Sequence, residues 1–506
     1  MNAALEKRIK RQIIGKQHRF LAIPPLGFEQ TLIKELEFIE RENDSRHPEQ
    51  HDVSSAETAV DKASAEQASN RPHVTGDGKV EFTAKITEAW RIVAYSRIAN
   101  RVLMEVANFK AENFRELEKK ASEIPFELYL ATNHQPLTTI HGTCKHARLY
   151  HSDAIAERLQ KIIEGGSLPL APARRENGPA VRQAKDARKS AKAASRRDYA
   201  TPSAGTPRNA PLQNVYVNFL DDRCTIWLDL AGEELYKRGH ERFVNEAPLK
   251  ETIAAAMLFE AFDATAQATN NVTPDPVPGP PYTLLDLMSG SGTFRLEAAY
   301  IANKLIPGIC RDFTLKHHPA FKEATWNFIT RSVTLSETKG PVKSCNAFAT
   351  IKKILTSDIS ERAIEIIKHN VESSPLASIN PPPINPQLKD FFSYTAKEIA
   401  DACGDSSPIM LLNPPYGKRL DFDAPRLYTR IGKKLTELAN SLAAFNKRLT
   451  VAILAPKDDT RNGAKYTCTT NLLRECPALS PEHNNSAKNI TTSHGGLSLN
   501  AIIATI

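Results

Sequence analysis

One stretch of the chain has the residue types and spacing of a site that holds an amino group. The apolar run from Ile409 to Leu412 predicts a short buried strand, and it is followed by Asn413, Pro414, Pro415 and Tyr416. Two prolines force the chain out of a sheet in a rigid conformation, because proline has no N–H and fixes its own φ angle. The Asn413 amide oxygen and the Pro414 carbonyl can each accept one N–H from the exocyclic amine of a base, and Tyr416 offers a face for stacking. The pattern suits methyl transfer from a sulfonium to a planar nitrogen, which needs positioning more than a strong base; alone, it also fits a plain strand-ending turn.

A second motif lies upstream and predicts a ligand-binding turn. The sequence LLDLMSGSGTF, residues 284–294, is a strand with Asp286 at its end, a turn containing Gly290 and Gly292, and the start of a helix. Glycines let the backbone approach a ligand closely, with N–H groups free to donate. The dinucleotide fingerprint is not met, because Arg295 stands where a third glycine is required.

Two further acidic residues end predicted strands downstream. Asp358 closes the run from Leu355 to Ile359, more than 70 residues after Asp286, and it is placed to hold a ribose diol. Asp390 follows a third predicted strand and could accept from an adenine amine, with Phe391 beside the ring. Each acidic residue alone is more often a helix cap. Three of them ending successive strands predict a nucleoside-containing cofactor.

The elements that must position these residues change in kind along the chain. From Thr283 onward, apolar strand-like runs alternate with helical stretches, which predicts a parallel sheet covered by helices, and residues 489–506 read as a C-terminal β-hairpin. Upstream, an amphipathic helix is predicted from Ile86 to Val102, and a helix at 153–163 is expected to be capped by Asp153 or Ser152. Further strands are predicted at 19–23, 79–84, 103–109, 137–143, 215–220 and 225–230.

Two polar insertions interrupt the N-terminal half. Residues 41–78 are rich in Ser, Glu, Asp and His, and residues 164–213 are rich in Ala, Pro, Ser, Arg and Lys. Both lack the apolar residues that would offset the entropy lost on ordering. The second is strongly basic, so it is either a flexible arm that grips phosphates or a solvated loop without a dedicated role.

Bulk properties narrow the class of protein. The 506 residues suggest roughly two to four domains, and no apolar run reaches the roughly 18 residues of a membrane span. The seven cysteines include no C-x-x-C pair, which argues for a reducing compartment and against a structural zinc site. The N-terminus has no signal-peptide core, and we therefore expect a cytoplasmic protein. The net charge of +8 is mild, but the excess is unevenly placed.

Taken together, the motifs resemble a known family. The segments LLDLMSGSGTF, SDIS, KDFF and LLNPPYGKRL, in that order, resemble the motifs of class I S-adenosylmethionine-dependent RNA methyltransferases. AYSRIANRVLMEV, KHARLYHSDAIAERL and EAPLKETIAAAML resemble the bacterial subfamily that carries a THUMP domain and methylates the 2-amino group of guanine in large-subunit ribosomal RNA. Some relatives carry a second methyltransferase half. The chain does not show one, so a second modification activity is not expected.

The resemblance implies a fold and a division into domains. It implies an α/β fold: a Rossmann-like class I methyltransferase domain at 233–506, with a mostly parallel seven-stranded sheet and a C-terminal antiparallel hairpin. Before it would come an N-terminal α/β segment at 1–78 and an α+β, ferredoxin-like THUMP RNA-binding region at 79–232.

The resemblance also implies roles for individual residues. Asn413 to Tyr416 would hold the target base. The S-adenosylmethionine site would include Asp286, Met288, Ser289, Gly290, Gly292, Thr293, Asp358, Ile359, Asp390 and Phe391. The candidates for RNA contacts are Arg97, Arg101, Lys145 and Arg148, which could equally be solvated charges on amphipathic elements. His317 and His318 lack a third ligand at suitable spacing, so no metal is expected.

The sequence leaves open other substrates for the same reaction, and one function that is not enzymatic. The first reading is a guanine-N2 methyltransferase whose partner is large-subunit ribosomal RNA, with no membrane partner. Transfer RNA guanine, DNA adenine and a glutamine side chain are alternative substrates of an Asn-Pro-Pro-Tyr site, although the THUMP-like region argues for RNA. An RNA-binding ribosome assembly factor without catalysis is the alternative from another class, and the acidic residues with Asn-Pro-Pro-Tyr disfavour it.

Overall fold

The computed structural model divides the chain into two compact units in a way that sequence did not predict. It describes residues 3–44, 71–131, 138–165, 213–244, 248–268, 281–334, 350–379, 384–416, 423–459 and 467–506. One unit comprises Met1–Val106 with Trp227–Ile506, and the other is Ala107–Ile226. Most of the two predicted insertions, together with Gly417, Lys418 and Arg419, lies outside the described residues.

An antiparallel sheet forms the N-terminal part of the larger unit. Its strands are β1 (Gln17–Ile23), β2 (His73–Val74), β3 (Val80–Lys85) and the first half of β4 (Arg101–Lys110), in the order β2-β3-β1-β4. Phe20 of β1 stands opposite Phe82 of β3, and their stacked rings are 5.4 Å apart. Because β1 lies between β3 and β4, residues 1–78 and the start of the predicted THUMP region share one sheet and are not separate segments.

The helix predicted from Ile86 to Val102 is shorter in the structure. It ends at Tyr95, and Val102 belongs to β4. The cause is tertiary: the buried carboxylate of Glu35 accepts hydrogen bonds from the Ser96 hydroxyl at 2.6 Å and from the Arg97 N–H at 2.8 Å. These bonds hold the chain in a turn after Tyr95, which periodicity alone could not reveal.

The smaller unit contains β5 (Thr138–Lys145), which runs parallel to β6 (Gln213–Leu220). β6 turns into β7 (Arg223–Asp229) through Asp221 and Asp222, whose positive φ angles of 49° and 61° make a tight hairpin turn. The helix predicted at 153–163 runs from Ser152 to Ile163. Its N-cap residue is His151, which makes no side-chain capping bond, so the predicted cap was wrong.

The second sheet has seven strands, as predicted. They are β8 (Tyr282–Asp286), β9 (Ile351–Asp358), β10 (Gln387–Leu388), β11 (Ser407–Leu412), β12 (Thr450–Pro456), β13 (Lys488–His494) and β14 (Leu497–Thr505). The order is β10-β9-β8-β11-β12-β14-β13, with β8 to β12 parallel and the β13–β14 hairpin antiparallel. Central strands such as β8, buried at every position, read as continuous apolar runs because helices cover both faces.

The helices surround these sheets. In chain order they are α1 (Ala3–Ile9), α2 (Glu29–Asp44), α3 (Ile86–Tyr95), α4 (Phe114–Ser122), α5 (Ser152–Ile163), α6 (Glu251–Ala268), α7 (Thr293–Ala302), α8 (Glu323–Thr334), α9 (Glu361–Glu372), α10 (Ala396–Cys403), α11 (Ala424–Leu442) and α12 (Cys468–Glu475). Among the described helices, no apolar stretch is long enough to cross a bilayer. The six cysteines in the described part of the chain are free thiols.

A buried ion-pair cluster joins the N-terminal elements to α7. Glu297 of α7 is 1% exposed and accepts from Arg238 at 2.9 and 3.1 Å, and its carboxylate lies 3.8 Å from Arg97. Arg238 also donates to the Arg97 carbonyl at 2.9 Å. Buried charges are tolerated only when they are paired and hydrogen-bonded, so this cluster fixes the position of α7, the helix that follows the glycine turn.

Candidate functional site

The predicted site residues converge at one edge of the second sheet. β8 pairs in parallel with β9 on one side, Asp286 opposite Thr356, and with β11 on the other, Leu285 opposite Met410. The carboxyl ends of these strands therefore lie together, and Asp286, Asp358 and Asn413 share an edge. In open α/β sheets this is where ligands bind.

The glycine turn after β8 is held by the end of β9. The Gly290 N–H donates to the Asp358 carboxylate at 2.8 Å, and the Ser289 hydroxyl donates to the Ser357 carbonyl at 3.0 Å. Gly290 has a φ angle of 52°, and a Cβ there would meet open space. Gly292, with φ at 77°, packs so closely that a Cβ would lie 2.5 Å from the Arg295 Nε. Glycine at 292 is thus required both by φ and by close approach.

Asp286 is the most strongly perturbed acid of this edge. It is 1% exposed, and within the described residues neither carboxylate oxygen has a hydrogen-bond partner. Burial raises its pKa to about 7; attraction by the Arg295 guanidinium opposes that rise, and repulsion by Asp358 adds to it. A buried acceptor that lacks a donor is costly, which marks Asp286 as a candidate ligand-binding group.

Arg295 is the counterpart of Asp286 and was not among the predicted site residues. Its side chain is fully buried, and none of its three guanidinium nitrogens has a hydrogen-bond partner within the described chain. Burial lowers its pKa to about 9, although the Asp286 charge counteracts the shift. The sequence signal was its position in place of a third fingerprint glycine.

Asp358, the expected ribose ligand, is the last residue of β9, and Ile359, another expected cofactor contact, follows it. The Asp358 carboxylate accepts from the N–H groups of Gly290 and Ser360, at 2.8 and 2.9 Å, which orients it toward the turn. Each carboxylate oxygen can accept a further bond, so these contacts leave capacity for hydroxyl groups. Ile359 is 73% exposed, an apolar surface next to Asp358.

Asp390 and Phe391 lie beyond β10, beside the end of β9. Leu388 of β10 stands opposite Asp358, which places Asp390 at the same edge. The Asp390 side chain accepts from the Phe392 N–H at 3.0 Å and caps a short 3-10 helix. Phe391 is 2% exposed and packs into the core of the sheet, so its ring is not free to stack on a cofactor.

The Asn413 side chain lies at the carboxyl end of β11, next to β8. Its Oδ1 atom is buried and lacks a hydrogen-bond partner among the described residues. Pro414 is buried and Pro415 exposed, while Tyr416 is 7% exposed and its hydroxyl lies 3.4 Å from His494 Nδ1. The structure thus brings the amide acceptor to the Asp286 edge, but it covers the Tyr416 ring that was expected to stack on a base.

The remaining predicted cofactor residues, Met288 and Thr293, lie at the two ends of the glycine turn. Met288 is partly buried. Thr293 begins α7, and its hydroxyl donates to the Leu249 carbonyl at 3.3 Å and accepts from Arg242. Arg242 also pairs with Glu251. Arg242 was missed, because only the fold brings its segment to the glycine turn.

The four predicted RNA contacts fall into two groups. Arg97 and Arg101 are engaged inside the larger unit: Arg97 donates to the Leu305 carbonyl at 2.6 Å, and Arg101 donates to Asp229, which is fully buried. In the smaller unit Lys145 and Arg148 are exposed, although Arg148 contacts Glu112 and Asp222. The geometry favours an RNA role only for the second group.

His317 and His318 do not form a metal site in the structure. His317 lies 3.6 Å from Asp312, and His318 is buried, which lowers its pKa to about 3. Within the described residues, no group of three or more side chains could hold a metal ion.

Comparisons with known proteins point to methyltransferases. Residues 238–467 match the family described as UPF0020: RMKL-like, methyltransferase domain. The chain is 27% identical over 373 residues to the ribosomal RNA large subunit methyltransferase K/L of Allochromatium vinosum, matching 71% of this chain and 42% of that protein. It spans less than half the length of the curated relatives it matches.

Solved structures share the fold across nearly the whole chain. A possible methylase from Clostridium difficile 630 aligns with a TM-score of 0.59 at 19% identity, covering 97% of this chain and 98% of that one. SMU.472, a proposed methyltransferase complexed with SAH, aligns with a TM-score of 0.58 at 19% identity, with the same coverage.

The seven-stranded sheet and the solved structures that it resembles define a class I methyltransferase fold. An N-terminal α/β region precedes it. Within that class, residues 238–467 are similar to the RMKL-like methyltransferase domain. The match begins at Arg238, which binds Glu297 of α7, and continues past β12.

Proposed function

We propose that this chain transfers a methyl group from S-adenosylmethionine to the exocyclic 2-amino group of a guanine in large-subunit ribosomal RNA. The observation that carries the proposal is the buried Asn413 Oδ1, which has no hydrogen-bond partner in the described part of the chain and lies beside the acidic edge formed by Asp286 and Asp358. The curated relatives are named as methyltransferases of large-subunit ribosomal RNA, which supports that RNA as the substrate. A solved structure of similar fold is complexed with SAH, which supports S-adenosylmethionine as the methyl donor.

The residues at this edge fit S-adenosylmethionine. Asp286 offers two carboxylate oxygens that have no hydrogen-bond partner within the described residues, and Asp358 retains acceptor capacity for a ribose diol. Open space next to Gly290 leaves room for a ligand against the turn, and exposed Ile359 offers an apolar surface for an adenine ring. S-adenosylmethionine supplies an electrophilic methyl group on a sulfonium.

The chain's own contribution is to position the attacking amine. Asn413 Oδ1 accepts one N–H of the base, and the Pro414 carbonyl can accept the other, so the nitrogen lone pair is aimed along the line of displacement. These acceptors also raise the electron density on the nitrogen as positive charge develops there. A base inside a duplex must first be flipped out to reach the site.

We further propose that the exposed side chains of Lys145 and Arg148 contact the RNA. The smaller unit carries both side chains at its surface, within and just after β5. Cations there would contact phosphates and set orientation without reading sequence.

The test is methylation of deproteinised large-subunit ribosomal RNA and of transfer RNA, followed by mass analysis of the nucleosides. We expect N2-methylguanosine from the ribosomal RNA alone. The matched control is Asn413→Ala, which should lose turnover while calorimetry still detects S-adenosylmethionine binding. Product from transfer RNA would move the substrate to that class. Donor binding without methylated product from either RNA would argue against the proposed activity.

A further inference from the structure

His494 lies at the proposed site but belongs to neither of its motifs. It ends β13 directly before the Gly495-Gly496 turn. Because β14 is antiparallel to β12, with Leu499 opposite Pro456, this turn lies at the edge where β12 ends. The fold therefore carries a residue from the far end of the chain to the Asn413 edge.

The imidazole of His494 faces the loop that follows Asn413. Its Nδ1 atom is 3.4 Å from the Tyr416 hydroxyl. Burial raises the pKa of Tyr416, so its hydroxyl remains protonated and can donate. Burial and the nearby charge of Lys250 lower the pKa of His494, so the ring is neutral at neutral pH and Nδ1 can accept.

A second contact ties the same ring to the donor side of the site. The backbone carbonyl of Pro248 forms a hydrogen bond with the His494 ring, which raises the pKa of the imidazole against the larger effect of burial. The next residue, Leu249, accepts from the Thr293 hydroxyl at 3.3 Å, and Thr293 begins the helix after the glycine turn. His494 thus lies between the segment anchored on the glycine turn and the loop that holds the base.

We propose that His494 is a positioning residue that orients Tyr416, and through it the base-holding loop, relative to the methyl donor. This inference rests on the proposed function. With only 7% of Tyr416 exposed, the orientation of its ring is set by packing and by the one hydroxyl contact found among the described residues. Losing the contact should disturb the geometry of transfer without changing the donor site.

The experiment is a double-mutant cycle on the full chain, with His494→Leu, Tyr416→Phe and both together. The substrate is the RNA that the wild type methylates, and kcat, KM for RNA and the Kd of S-adenosylmethionine are measured. We expect His494→Leu to lower kcat roughly three- to ten-fold, the size of one neutral hydrogen bond, with the Kd of the donor unchanged. In the Tyr416→Phe background the same substitution should have a clearly smaller effect, because only the Pro248 contact remains to be lost.

His494→Asn provides rescue and guards against misfolding. An asparagine side chain can place an acceptor near the position of Nδ1, so this variant should keep most of the wild-type kcat. Equal losses from His494→Leu in both backgrounds, or no loss in either, would overturn the inference. If His494→Leu does not fold, loss of kcat in His494→Asn equal to that in Tyr416→Phe would overturn it as well. An inactive wild type contradicts the proposed function, whereas an active wild type with an additive cycle contradicts only the role of His494.

Discussion

The buried pair of Asp286 and Arg295 predicts a distinctive pH dependence of stability. The pKa of Asp286 is raised from 3.8 to about 7, mainly by burial. In the unfolded chain the carboxyl ionises at its ordinary value, so between 3.8 and about 7 the folded state binds more protons. Stability from this group is therefore fully present below 3.8, falls by about 1.4 kcal/mol per pH unit, and is lost above about 7.

Replacing Arg295 by methionine should extend that fall to higher pH. The guanidinium is the positive charge that holds the pKa of Asp286 down, and the Asp358 charge that remains pushes it up. With the pKa of Asp286 raised by a unit or more, the variant should lose about 1.0–1.4 kcal/mol between pH 7 and pH 8, where this site costs the wild type only about 0.4 kcal/mol. Arg295 itself titrates near 9, outside this window.

The assay is urea unfolding at pH 7 and pH 8, followed by tryptophan fluorescence. Arg426→Met, which removes an exposed arginine of α11, is the matched control and should behave as the wild type. Asp286→Asn combined with Arg295→Met removes the titrating group and should abolish the extra slope. The same change from pH 7 to pH 8 in Arg295→Met and the wild type would refute the reasoning.

Three further predictions concern cofactor binding, RNA binding and the stability of the fold. Asp358→Ala should weaken S-adenosylmethionine binding by roughly 10- to 100-fold in calorimetry. The substitution removes a ribose acceptor worth about 1.5–3 kcal/mol and leaves the Gly290 N–H without its acceptor. Unchanged affinity would exclude Asp358 as the ribose ligand. Lys145→Ala with Arg148→Ala should weaken RNA binding and reduce its salt dependence, whereas Lys161→Ala, an exposed lysine paired within α5, should not; equal effects would remove the specific assignment. Arg238→Met should destabilise the fold by roughly 3–5 kcal/mol in urea unfolding, because it strands the buried Glu297 carboxylate; a loss below about 1 kcal/mol would show that Arg97 alone suffices.

Much of the methyltransferase domain was predictable because its signals are local. The strand-turn-helix pattern around Asp286 and the C-terminal hairpin depend on residues adjacent in sequence, and the structure confirms both. Parallel strands with polar side chains together at their carboxyl ends also follow from the alternation of strand-like and helix-like runs. Asp286, Asp358 and Asn413 consequently lie where the sequence analysis expected them.

Other expectations failed because long-range contacts override local patterns. The helix from Ile86 ends early because Glu35, far away in sequence, binds the N–H groups after it. Arg97 has the appearance of a solvated helix charge, yet the fold buries it against Glu297. Phe391 follows the expected adenine-binding acid, but its ring completes the core of the sheet.

The sequence by itself determined the type of sheet, and it predicted the glycine turn, the Asn-Pro-Pro-Tyr loop and the chemistry proposed for them. Only the tertiary structure decided which charges are paired and which buried polar atoms are left without a partner. The burial of Arg295 beside Asp286 and the proximity of His494 to Tyr416 became visible only in the folded chain. The physical reason is that hydrogen bonding and burial depend on neighbours in space, whereas periodicity and turn chemistry depend on neighbours in sequence.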